Sequence, residues 1–234
     1  MNLLTEYREF YRQFRRRFET TGAIAPSSRF LARAQCSPLL ERDGPLRVLE
    51  VGPGTGAVTS EIVRRLGADS RLDLVEINEQ FAELLRQRFQ HDPRFQPAAD
   101  RSKVHHGPLQ EFRPVQPYDV IISGLPFNNF SAELVEELID RCLALLAPGG
   151  ELTFFEYMFV RPLRRAVSPA ETRRRLGQIE VILQARFARH RIKTDWVFVN
   201  VPPAWVQHLR KESDDAPSRQ PAAIRGLATQ SPTH

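Results

Sequence analysis

Lysine is almost missing from this 234-residue chain: Lys103, Lys193 and Lys211 are the only ones among 33 basic residues. Cysteine is as scarce. Cys36 and Cys142 lie far apart, with no CxxC or Cys/His spacing, which argues against a disulfide framework and fits free thiols in a reducing compartment. The histidines show no metal-ligand spacing either, and no metal is expected. No stretch approaches about 18 uninterrupted apolar residues, so no transmembrane helix is expected. The first residues lack the basic-then-apolar order of a secretory signal, and no internal repeat is found. With 41% hydrophobic and 26% charged residues, the chain can build the core of one sizeable α/β domain. Its net charge of +5 predicts an anionic partner: nucleic acid, a membrane surface or an acidic small molecule. Arginine's planar fork suits phosphate, but a GC-rich gene gives the same Arg/Lys ratio, so placement matters more than number.

Residues 3–18 (LLTEYREFYRQFRRRF) repeat apolar side chains every three or four positions. Leu3, Tyr7, Phe10, Phe14 and Phe18 line one side, and Glu6, Arg8, Arg12, Arg15 and Arg16 the other, which predicts an amphipathic helix. GAIAPSS breaks it, and a short second helix follows over 29–34. Strands are predicted at 46–51, 72–77, 103–106, 118–124 and 151–158, and helices at about 58–67, 78–89, 131–146 and 170–189. Residues 192–200 and 204–209 read as a closing hairpin, supplying an antiparallel edge strand. The expected division is an N-terminal arm over 1–34, a main domain over 35–211 and a Pro/Ser/Ala/Gln-rich disordered tail over 212–234. Strands alternating with helices predict a mainly parallel sheet covered on both faces, with ligands beyond the carboxyl ends of the strands.

The first such end reads LRVLEVGPGTG (46–56). Gly52, Gly54 and Gly56 let backbone turn sharply and approach a ligand closely. Glu50 precedes them, and Glu76 ends the next strand, where a carboxylate can accept two ribose hydroxyls. A dinucleotide fold prefers GxGxxG, and Glu50 would repel a pyrophosphate. The cationic amino group of S-adenosylmethionine suits this acid better.

ExGxGxG with the second acid resembles the seven-stranded class I methyltransferases. The resemblance implies a Rossmann-like sheet in the order 3-2-1-4-5-7-6, helices on both faces and S-adenosylmethionine as cofactor. The candidate cofactor residues are Phe30, Glu50, Gly52, Gly54, Gly56, Glu76, Ile77, His106, Leu109 and Ser123. In that class an Asp often follows strand three and meets the adenine; here Pro108 occupies that place.

Strand four runs into SGLPFNNF (123–130). Pro126 fixes its own φ and restrains Leu125, so backbone carbonyls here can hold the N–H groups of a methyl-accepting amine. Phe127 offers an aromatic wall for a cationic head group. Together the motifs resemble two related families: the rRNA adenine N6-dimethyltransferases, which carry Asn-Leu-Pro-aromatic, and the bacterial phospholipid N-methyltransferases. Ser123-Gly124-Leu125-Pro126, TGAIAPSSRFLAR (21–33) and NVPPAWVQHLR (200–210) match the second family, and Phe127-Asn128 points to a different head group, such as that of an ornithine lipid. The RNA enzymes add a helical domain after the sheet, whereas a polar tail follows Leu209. The expected activity is methylation of a membrane aminolipid, with Ser123, Gly124, Leu125, Pro126 and Tyr157 at the reacting centre. Tyr157 or Glu156 would bind the amine or relay its proton, and Tyr11, Phe127, Arg161, Arg164 and Arg165 would hold the lipid. Arg173–Arg175 are further candidates for its phosphate. The expected location is the cytoplasmic face of the inner membrane, attached through residues 3–18, with no nucleic-acid partner. The alternatives are an rRNA adenine methylase and a non-catalytic membrane-associated binding protein.

Overall fold

The computed structural model describes residues 28–158, 169–200 and 202–212. The expected 3–18 helix, nearly all of the tail, Tyr11, Arg161, Arg164 and Arg165 lie outside the described residues. In chain order the elements are α1 (Ser28–Gln35), β1 (Arg47–Val51), α2 (Thr59–Arg65), β2 (Arg71–Glu76), α3 (Glu79–His91), β3 (Ser102–His106), β4 (Tyr118–Ser123), α4 (Ala132–Leu145), β5 (Leu146–Tyr157), α5 (Ala170–His190), β6 (Arg191–Val197) and β7 (Ala204–Arg210). No helix among the described residues is long and apolar enough to cross a membrane.

All seven strands form one sheet in the order β3-β2-β1-β4-β5-β7-β6. The first five pair in parallel, and β7 runs antiparallel to both β5 and β6. The antiparallel strand is therefore interior, where the order implied by the resemblance puts it, and not at the edge as the closing hairpin predicted. The residues explain this. All of β7 except Trp205 and Arg210 is buried, which requires a neighbour on each side. β6 carries Arg191, Lys193 and Asp195 and is mostly exposed, a composition that suits an edge.

The central strands are mostly apolar because both faces are covered. Val48, Leu72, Leu74, Val120 and Ile122 pack on one face with Ile62 of α2 and Leu85 and Phe89 of α3. Leu49, Ile121, Leu152 and Phe154 pack on the other with Leu134 and Leu138 of α4 and Leu176 and Leu183 of α5. α1 adds a smaller cluster, in which Leu31 meets Val197, Ala204 and Val206. Ser131 caps α4 by accepting the Leu134 N–H at 3.3 Å.

Before the closing hairpin, the strand–helix alternation fails once. Residues 107–117, between β3 and β4, carry no α-helix. This connection buries Leu109 and stacks Phe112 against Tyr118, at 6.4 Å between ring centres. Beside it lies a groove of about 590 Å³ lined by Arg47, Asp73, Lys103, His105, Phe112 and Tyr118. Asp73 ties it together, accepting the Tyr118 hydroxyl at 2.8 Å and facing His105 at 2.7 Å.

Candidate active site

At the end of β1 the chain turns through three left-handed glycines, Gly52 (φ 67°), Gly54 (φ 55°) and Gly56 (φ 83°). Gly56 is fixed by packing as well as by φ. A Cβ there would lie 2.9 Å from Leu85 and 3.1 Å from Phe95. A Cβ on Gly54 would meet nothing within 4 Å, so this part of the loop borders open space.

Two buried acids stand against the loop. Glu76 is held by backbone: Oε2 accepts the Gly54 N–H at 2.9 Å, and Oε1 the Asn78 N–H at 2.8 Å. Burial raises its pKa to about 7, against the pull of these bonds. Glu50 accepts the Thr59 hydroxyl at 2.6 Å. Burial lifts its pKa to about 8, the Thr59 bond opposes this, and the charge of Glu76 adds to it. An acid pair at the edge of open space fits a ligand that brings a cation and hydroxyl donors, and it does not fit a pyrophosphate.

The second side of the site begins where β4 leaves the sheet. Gly124 donates its N–H to Val51 O at 2.8 Å, which closes this turn onto β1. A Cβ at Gly124 would stand 2.6 Å from the Gly52 carbonyl oxygen, so no side chain fits there. Ser123 is fully buried; its Oγ accepts the Leu125 N–H at 3.3 Å, and its carbonyl accepts Gln35 Nε2 at 2.9 Å. Residues Phe127–Asn129 form a 3₁₀ turn, in which the Phe127 N–H bonds the Leu125 carbonyl and the Asn129 N–H the Pro126 carbonyl. A small pocket of about 160 Å³ opens beyond it, lined by Pro126, Phe127, Asn128, Phe155, Glu156 and Tyr157.

Hydrogen bonds thus join Gly54 to Glu76 and Ser123 to Leu125, Gly124 rests on Gly52, and the pocket gathers Pro126, Phe127 and Tyr157. Ile77 is half-buried against the α4–α5 side of the core. Leu109 is 1% exposed, so only its backbone is offered to a ligand, while His106 is exposed at the end of β3. Phe30 sits on α1, flanked by the Arg29 and Arg33 guanidinium groups at 5.1 and 5.9 Å. Phe127 is more a core residue than a wall, with its ring edge-on to Phe154 at 5.1 Å. Arg175, read from the sequence as a phosphate ligand, donates to the Asn129 and Phe130 carbonyls at 3.3 and 3.2 Å and clamps the turn.

Four side chains escaped the sequence reading. Gln35 is completely buried and bridges α1, β4 and β5, since its own carbonyl accepts the Thr153 hydroxyl at 2.9 Å. A glutamine closing the short α1 pattern FLARAQ was its only signal. Thr59 anchors Glu50 from the first turn of α2. Gln207 Nε2 donates to Glu156 Oε2 at 3.1 Å, and the Thr194 hydroxyl to Gln207 Oε1 at 2.9 Å. Nothing local marked either residue.

A family profile described as "Methyltransferase domain" matches residues 49–152. Among curated relatives, an ornithine lipid N-methyltransferase of Singulisphaera acidiphila is 31% identical over 147 residues, covering 62% of this chain and 76% of that protein. The chain belongs to the class I S-adenosylmethionine-dependent methyltransferases. Its cofactor is S-adenosylmethionine, and the glycine loop with its two acids fits that group. A ribosomal RNA small subunit methyltransferase A of a Burkholderia species is 29% identical over 67% of this chain. A tRNA1(Val) (adenine(37)-N6)-methyltransferase of Pedobacter heparinus is 26% identical over 51% of it. The chain spans about half the length of these two relatives, 50% and 53%. Among solved structures, an O-methyltransferase from Bacillus cereus superposes with a TM-score of 0.60 at 17% identity, covering 81% of this chain and 83% of that one, a likeness of fold.

These relatives correct one expectation. Nucleic acid is not excluded as a partner of this methyltransferase, because relatives named for rRNA and tRNA modification recur among its matches. ExGxGxG, the second acid and the Leu-Pro-aromatic turn resemble both families, so the exclusion rested on the few segments that match the lipid enzymes.

Proposed function

We propose that this methyltransferase acts on the amine head group of a membrane aminolipid, phosphatidylethanolamine or a relative such as an ornithine lipid, in one or more rounds. Gly124 supports this most strongly. The rRNA adenine N6-dimethyltransferases resembled by the sequence carry Asn at this point of the motif, and here the Gly52 carbonyl fills the space that an Asn Cβ would need. The amide that would grip a base is therefore replaced by bare backbone. The ornithine-lipid relative, matched over 76% of its length, supports the same reading.

When bound, S-adenosylmethionine supplies an electrophilic methyl group. Glu50 would face its amino group and Glu76 its ribose hydroxyls, with Gly52, Gly54 and Gly56 letting backbone lie close. Ser123, Leu125 and Pro126 would orient the acceptor nitrogen, so positioning supplies much of the rate. The names of the RNA-modifying relatives favour a second reading, an adenine amino group as acceptor.

Incubation with radiolabelled cofactor, in parallel with total lipid and with rRNA, tests the two. The expected result is label in an aminolipid. Label in rRNA alone replaces the lipid reading with the base reading, and bound cofactor without transfer rejects both.

A further inference from the structure

The turn between β6 and β7 holds large apolar side chains in the open. Asn200 is buried beneath it; its N–H bonds the Val197 carbonyl at 3.4 Å, and its Nδ2 donates to the Pro202 carbonyl at 2.8 Å. Pro202 and Pro203 stiffen the return into β7. The Met158 N–H donates to the Pro203 carbonyl at 2.7 Å, which ties the turn to the end of β5. On this fixed frame Trp196, Phe198 and Val199 are 59%, 65% and 59% exposed. Exposed apolar residues scattered singly are ordinary, but these stand together. The Trp196 ring stacks on Phe198 at 5.6 Å and meets Trp205 edge-on at 5.7 Å.

Their place in the fold matters as much as their exposure. β6 runs parallel to β5, because β7 lies antiparallel between them. Val197 and Tyr157 both stand opposite Ala204, so the two strands end level. Phe198 and Val199 therefore project beyond the carboxyl ends of the strands, at the rim that also carries the pocket of Pro126, Phe127 and Tyr157. α1 packs across the same strands, with Leu31 against Val197 and Ala204, and adds the exposed Phe30 beside Arg29 and Arg33. Lys193 of β6 is matched by Glu41 and Asp195. Arg29 and Arg33, by contrast, pair with no carboxylate among the described residues.

We infer that this rim is a membrane-docking face, in which Trp196, Phe198 and Val199 enter the head-group layer of a bilayer and Arg29 and Arg33 meet its anionic lipids. The inference rests on the aminolipid reading and adds how that substrate is reached. An indole is apolar over its faces and polar at its N–H, which suits the boundary between water and hydrocarbon. Phe198 and Val199 supply apolar area, and two unpaired cations select an anionic surface. A lipid amine lies at the level of the head groups. A pocket on the docking rim meets it there, with the acyl chains still in the bilayer.

The test uses the full chain and vesicles of phosphatidylcholine, with or without about one third phosphatidylglycerol. Wild type should sediment with the anionic vesicles, and its tryptophan emission should shift to the blue. Trp196 and Trp205 are the only tryptophans, so Trp196→Phe should remove most of that shift. Phe198→Ser/Val199→Ser should weaken sedimentation about tenfold. Arg29→Gln/Arg33→Gln should weaken it about 30-fold on the anionic vesicles and leave neutral vesicles unaffected. Both double variants should lose transfer to phosphatidylethanolamine in vesicles and keep transfer to monomeric dihexanoylphosphatidylethanolamine, because the pocket is untouched. Variants that sediment and emit like wild type overturn the docking face, and methylation of either phosphatidylethanolamine then leaves the aminolipid reading standing. Vesicle binding that the variants lose, with no lipid methylated by wild type, supports the docking face and overturns the aminolipid reading. Three results give the rim to another occupant and overturn the inference. One is rRNA binding that the variants lose while vesicle binding holds. Another is a dimer in light scattering that Phe198→Ser/Val199→Ser dissociates. The third is a sharp fall in the melting temperature of that variant, which means that the chain covers the rim itself.

Discussion

At the end of β1 the groups that shape the site are mostly backbone N–H groups and acids within one strand–loop–strand unit. Beyond β4 they are side chains drawn from α1, β5, β7 and β6. The donor side is built locally: the Gly54 and Asn78 N–H groups hold Glu76, and Thr59 holds Glu50. The acceptor side is assembled over distance, with Gln35 reaching Ser123 across 88 residues and Gln207 reaching Glu156 across 51. The two sides meet where Gly124 rests on Gly52. On the proposed reading, a cofactor site built within one strand–loop–strand unit tolerates drift elsewhere, whereas an acceptor site of distant side chains depends on the sheet being in register.

The most severe test of this division is Gly124→Asn. A Cβ at 2.6 Å from a backbone oxygen has no flexible neighbour to displace, so the meeting point is forced apart. Denaturation should show a loss of about 3 kcal/mol, and cofactor binding and transfer should fall together. A folded Gly124→Asn enzyme with normal cofactor affinity would break the comparison. Next in size, Glu76→Ala leaves two half-buried backbone donors without their acceptor. Cofactor binding should weaken by about 30-fold, or 2 kcal/mol, by calorimetry, and unchanged affinity would reject its role.

Cofactor affinity should also follow pH, with a definite sign. Glu50 and Glu76, with pKa values of about 8 and about 7, carry protons at pH 6.5. A cationic amino group and hydroxyl donors favour their ionised forms, so binding releases protons and tightens as pH rises. About tenfold is expected between pH 6.5 and 7.5, with Glu50→Gln keeping only the share from Glu76, about threefold. Calorimetry in two buffers of different ionisation heat measures the release directly. The smallest expected effect is that of Gln35→Ala, which strips a donor from the buried Ser123 carbonyl and costs about 1 kcal/mol of stability. It should slow transfer several-fold and leave cofactor affinity within about a factor of two. An equal loss of affinity would show that the two sides are not separable.

The same contrast governs what the sequence made legible. Strands of five or six apolar residues, helices with an apolar stripe and glycines at alternate positions are local patterns, and the sheet and the cofactor loop follow from them. Glu50 and Glu76 were readable because each sits at a strand end. The helix-free 107–117 connection had a signal in Pro108, Pro114 and Pro117, which deny a helix its N–H donors. The interior place of β7 was not readable from its own pattern, since alternation marks a strand and not its neighbours. Gln207, Thr194 and the Arg175 clamp are side-chain choices that acquire meaning only once distant strands and helices are adjacent.

The position of β7 also orders events in time. β6 leaves the ribosome before β7, yet it touches the sheet only through β7. Until residues 204–210 slot in, β6 has no ladder to join and Gln207 is absent from beside Glu156. The nascent chain can therefore close the glycine loop early, while the pocket beside Glu156 stays unfinished until synthesis has passed β7.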